Sequence, residues 1–146
     1  MTPAKGTGMR MDVARDAGPD AETGVLATIY VCITCRRPGD SEDAPRAGAS
    51  FARTVAAAAE GAGIAVRDIR CLGNCKRGLS AMIAREGAWT YVFGGLDPAK
   101  DDVALIAGAQ LLARSTDGLM PWNFRPEPLK RGLVARVPPP GYREAE

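Results

Sequence analysis

The sequence predicts an α/β fold: a mixed four-stranded sheet with helices packed on it, a disordered N-terminal leader and an extended Pro-rich C-terminal tail. Three observations carry this. Short apolar runs of strand length alternate with stretches of helical periodicity. Two of the runs sit close together as a hairpin, which makes the sheet mixed rather than purely parallel. The chain has 146 residues, 46% hydrophobic and 25% charged, the size and balance of one globular domain. The domain is expected over residues 25–116, the leader over 1–24, and a basic tail over 117–146 that packs on the domain.

The elements follow in order. Residues 1–24 are rich in Gly, Ala, Asp and Thr without periodicity, a composition that buries too little to order itself. Residues 25–31 (VLATIYV) form a short β-rich apolar run that ends directly at Cys32, and they read as a buried strand. Residues 36–46 carry two prolines and a glycine among charged residues, a loop composition. A helix is expected over 47–62, where Phe51, Val55, Ala58, Ala59 and Ala62 share a face. Residues 64–70 (IAVRDIR) alternate as a half-buried strand does, and Cys71 follows at once. Residues 79–84 and 89–93 read as a hairpin joined through Arg85, Glu86 and Gly87, with Met82 and Trp89 in the core. The second helix is signalled by Asp97 as cap, Pro98 at the first position and Asp101 and Asp102 in the first turn. Its apolar residues are Val103, Ile106, Ala107, Leu111 and Leu112, and it should end near Ser115.

Composition excludes several functions. A net charge of +2 from 19 basic and 17 acidic residues lacks the basic excess of a nucleic-acid protein. Three Phe, three Tyr and two Trp are too few for a base-stacking platform. No histidine is present, which removes Ser–His and Cys–His catalysis and every His-based metal site. No apolar stretch approaches the ~20 residues that cross a bilayer, so no membrane association is expected. The absence of a signal-like segment points to the cytoplasm. Thiols stay reduced there, so clustered cysteines point to metal or redox chemistry rather than structural disulfides.

Cys32, Cys35, Cys71 and Cys75 are therefore the candidate site. Their pattern is Cys-x2-Cys, 35 residues, then Cys-x3-Cys, each pair following directly on an expected strand. If the two strands are parallel neighbours joined through a helix, both pairs reach one edge of the sheet. Short spacers let two thiolates share one metal ion within a single turn. Gly73 and Asn74 both tolerate positive φ, and backbone N–H groups of such a turn can point at sulfur. Arg36, Arg37, Lys76 and Arg77 follow the pairs and can offset thiolate charge. Four readings compete: a [2Fe–2S] cluster, a four-thiolate zinc, a Cys32–Cys35 dithiol, and four unconnected buried thiols. The spacing favours the two metal readings together and does not separate iron from zinc. Against the dithiol, Cys32 precedes a loop and lacks the helix N-terminus that lowers a thiol pKa.

The order strand, helix, strand, Cys71-Leu72-Gly73-Asn74-Cys75 and hairpin resembles the thioredoxin-like [2Fe–2S] ferredoxins over about residues 25–115. The tail stretches Gly118-Leu119-Met120-Pro121-Trp122, Arg125-Pro126 and Ala135-Arg136-Val137-Pro138-Pro139 resemble the ending of a bacterial family of predicted metal-binding proteins of that fold, often associated with cobalamin biosynthesis. The resemblance implies a [2Fe–2S] electron carrier rather than an enzyme, with Cys32 and Cys35 on one iron and Cys71 and Cys75 on the other. It also implies a redox partner protein and a homodimer. Two features depart from the ferredoxin pattern: only Ile33 and Thr34 separate the first pair, and Leu79 rather than proline follows Gly78. The alternatives are a zinc- or other metal-binding accessory module, and a thioredoxin-like dithiol oxidoreductase.

Three other features are read as structural. Trp122 and Phe124 among the basic residues of the tail suit a wrap over a sheet face or edge better than a docking surface. Asp40, Glu42 and Asp43 read as a solvated loop. Gly94-Gly95 lacks the following Gly-Lys-Ser/Thr of a phosphate loop.

Overall fold

The computed structural model describes residues 26–37, 39–41 and 43–144; the expected leader, 1–24, lies outside them. Among the described residues the sheet has five strands, β1 (Ala27–Cys32), β2 (Ile64–Ile69), β3 (Ala81–Ala84), β4 (Thr90–Phe93) and β5 (Leu133–Val137), in the order β2-β1-β3-β4-β5. β1 and β2 are parallel, and the other neighbours are antiparallel. The mixed sheet is thus as expected, but it has five strands rather than four.

Odd positions of β1, Ala27, Ile29 and Val31, point to the helical layer and are buried, as the two-residue period requires. Helix α1 (Ala47–Ala58) joins β1 to β2 and seats Phe51, Ala52 and Val55 against them. It stops about a turn before the expected end, and Ala58 faces solvent. Helix α2 (Asp101–Arg114) packs beside α1 through Leu105, Ile106, Ala109 and Leu112. Val103 is exposed, so the face is rotated from the one expected. α2 begins at Asp101 rather than at Pro98, with Lys100 in the N-cap position and no side-chain cap; Asp97 instead closes the preceding turn, its Oδ1 accepting from Ala99 N–H at 2.9 Å and its N–H donating to Asp101 Oδ2 at 2.7 Å. Arg85 closes the other end, donating to the carbonyls of Leu112 (2.8 Å) and Ser115 (3.0 Å).

The tail is more ordered than an extended wrap. Helix α3 (Glu127–Arg131) rests on α2, where Gly108 has no side chain and Leu129 fills the space. β5 then pairs with β4 from Thr90↔Val137 to Phe93↔Leu133, with Val134 as the extra residue of a bulge. It covers an edge that would otherwise present unpaired backbone groups. Met82 and Trp89 are half-buried rather than core, because even positions of β3 face away from the helices and Trp89 lies just before β4. Among the described residues no helix is long and apolar enough to cross a membrane.

Candidate metal centre

The parallel register brings the cysteine loops together. Cys32 lies opposite Ile69, so Cys71 begins its loop two residues beyond the partner of Cys32. Ile33 N–H donates to Ile69 O at 2.9 Å and holds the two strand ends in step. The Thr34 hydroxyl donates to Arg70 O, bridging the loops. Cys32 Sγ is 3.5 Å from that same carbonyl oxygen and 3.5 Å from the Thr34 hydroxyl.

Within the pairs, Cys35 Sγ–H donates to Cys32 Sγ at 3.2 Å, and Cys71 Sγ is 3.8 Å from Cys75 Sγ. All four cysteines are free thiols, Cys32 and Cys35 buried, Cys71 and Cys75 exposed. Two thiolates bound tetrahedrally at ~2.3 Å from one ion lie about 3.8 Å apart. The Cys71–Cys75 pair matches that separation and the Cys32–Cys35 pair is somewhat tighter, so each pair fits one thiophilic ion. Among the described residues no three Cys, Asp or Glu side chains group closely enough to hold a single ion. The structure thus assembles two pairs at one sheet edge, not a converged quartet.

The loops also aim dipoles at sulfur. Gly73, at φ +75°, turns its N–H to Cys71 Sγ at 3.2 Å. Asn74 is at φ −122°, so its tolerance of positive φ goes unused. Its amide donates instead to Ser80 Oγ at 3.0 Å. Ser80 is fully buried, and its side chain and backbone also hydrogen-bond Cys35. Ser80 thereby ties one pair's loop to the other pair. Sequence reasoning missed it; the available signal was a lone hydroxyl in the apolar run LSAMIA. Gly78 sits against Cys35, and a Cβ there would lie 2.7 Å from Arg36 O and 3.3 Å from Cys35 Sγ. The Gly78–Leu79 peptide is cis.

The thiols differ electrostatically. Burial pushes Cys32 up, but hydrogen bonds with the Thr34 and Cys35 side chains and with the backbone at Thr34 and Leu72 outweigh it, leaving Cys32 below the ordinary thiol value. Cys35 is pushed up to about 11 by burial, by its hydrogen bond to Cys32 and by the charge there. Cys75 is raised by its hydrogen bond to Cys71, by the charges at Cys71 and Cys32, and by partial desolvation. Asp40 serves its own loop, accepting from Arg37 N–H at 3.0 Å; Glu42 lies outside the described residues.

A sheet of this order with thiol pairs at one edge defines a thioredoxin-like α/β protein with a cysteine site. A thioredoxin-like [2Fe-2S] ferredoxin from Aquifex aeolicus has the same fold, with a TM-score of 0.51 and 15% identity over 80% of this chain and 97% of that one. The wild-type thioredoxin-like [2Fe-2S] ferredoxin from the same organism, solved at 1.5 Å, aligns with a TM-score of 0.45 and 13% identity over 75% and 96%. The chain belongs to the family described as "Protein of unknown function (DUF1636)", whose model matches residues 29–139. No curated protein matches it.

Proposed function

We propose that the protein is a small ferredoxin-like electron carrier, in which Cys32 and Cys35 hold one iron and Cys71 and Cys75 the other iron of a [2Fe–2S] cluster. The pairing of the thiols carries this reading. A single four-thiolate ion needs every sulfur about 3.8 Å from the others. A two-iron cluster needs that separation only within each pair, and the close S···S distances here fall within the pairs. When bound, the cluster supplies one-electron redox chemistry. The chain's own part is to supply thiolates and direct the Gly73 N–H at Cys71 Sγ, which stabilises negative charge on that sulfur. Burial of Cys32 and Cys35 leaves the Cys71–Cys75 side toward solvent, where a redox partner protein would exchange electrons. Cobalamin biosynthesis is the pathway that the sequence resemblance suggests.

A zinc-binding accessory module is the second reading, supported by the Cys71–Cys75 separation, which suits zinc equally. The dithiol oxidoreductase is disfavoured: a reactive thiol must be reached by its target, and Cys32 is 1% exposed.

Purification without oxygen tests the proposal. Red-brown protein with about two irons and two sulfides per chain is expected, with the colour lost in Cys71→Ser. Colourless protein holding one zinc per chain would replace the first reading with the second.

A further inference from the structure

The β4–β5 edge, across the sheet from β2, borders a cavity of about 400 Å³, a volume suited to a small molecule. Leu119, Met120, Pro121 and Trp122 form its apolar wall, and Arg125 and Arg136 are its cations. The one carboxylate in the lining, Asp117, is engaged locally, accepting from Leu119 N–H at 3.1 Å.

Arg125 is 8% exposed. One terminal nitrogen donates to Met120 O at 2.5 Å. Its guanidinium carbon is 5.3 Å from the Tyr91 ring centroid and 5.1 Å from that of Trp122. The Tyr91 side chain also hydrogen-bonds the guanidinium, but among the described residues Nε is buried without a hydrogen-bond partner. Buried N–H groups in folded proteins are almost always paired. Arg136 stands opposite Tyr91 on β5, with its guanidinium 4.4 Å from the Trp89 centroid. Burial and the like charge of Arg136 act against the Arg125 cation and Tyr91 offsets them only in part, a conflict that an anion in the cavity relieves.

We propose that this cavity binds a small organic carboxylate, its carboxyl group facing the guanidinium groups of Arg125 and Arg136, its apolar body against Trp122. Guanidinium matches carboxylate geometry. A free inorganic dianion suits the site less, because it would leave the apolar wall unused.

The test uses the reduced full-length chain and NMR titration with benzoate, benzyl alcohol and inorganic phosphate. Benzoate should saturably shift the Trp122 indole N–H and the Arg125 Nε–H. Benzyl alcohol and phosphate should each bind at least tenfold more weakly. Arg136→Gln alters an exposed residue and should keep the fold while weakening benzoate about tenfold, the loss of one charge-assisted contact. Non-saturating shifts, benzyl alcohol or phosphate binding as tightly as benzoate, or unchanged affinity in Arg136→Gln would each overturn the assignment.

Discussion

Cys71 Sγ and Cys75 Sγ lie 3.8 Å apart on the exposed side of the site, while Cys35 Sγ lies 3.2 Å from Cys32 Sγ on the buried side. The two pairs therefore meet solvent differently. In reduced, metal-free protein, iodoacetamide should modify Cys71 and Cys75 rapidly and leave Cys32 and Cys35 until denaturant is added. Mass spectrometry of the time course checks this; four equal rates would contradict the burial difference. Loading with metal should protect Cys71 and Cys75 as well.

Metal uptake should weaken as pH falls. Thiolates, not thiols, bind metal, so uptake must displace protons from thiols still protonated. Cys35 at about 11 and Cys75 above its ordinary value are both protonated at neutral pH. At least two protons should leave per site, and the logarithm of apparent affinity should rise by at least about two per pH unit between roughly 6 and 8. Competition with a chelator across that range measures the slope, and a flat profile would contradict it.

Ser80→Ala should cost about 1–2 kcal/mol of stability, because it strips the Asn74 amide of its partner inside the fold. Since Ser80 also hydrogen-bonds Cys35, the variant should lose metal faster than the parent. Denaturant titration and metal-release kinetics report the two effects separately. A variant that matched the parent in both would remove Ser80 from the site.

Arg85→Ala should destabilise the fold by about 1 kcal/mol without altering metal content. The guanidinium satisfies carbonyls at the end of α2, where a cation also favours the helix dipole. Thermal unfolding of the metal-free protein, with metal analysis alongside, separates this from an effect on the site. Unchanged stability would mean that solvent satisfies those carbonyls equally well.

The α/β class, four of the strands, both main helices and the two cysteine pairs were legible in the chain by itself. Each rests on local information: runs such as 25–31 with a two-residue period, Ala-rich helical spacing, Asp101 and Asp102 in a first turn, and cysteines placed at strand ends. The tertiary structure alone decided the rest. Residues 133–137 are mostly exposed, interrupted by a bulge and followed by prolines, so their strand exists because β4 offers an edge, not because of an apolar pattern. The face α2 buries depends on its contact with α1, which left Val103 in solvent. Ser80 takes its role in part from Cys35, far along the chain, and Arg125 from the cavity beside it. Most of all, parallel pairing of Cys32 with Ile69 sets the two thiol pairs at one edge as neighbours. Spacing can place two thiols in one turn, but only strand register brings two turns together.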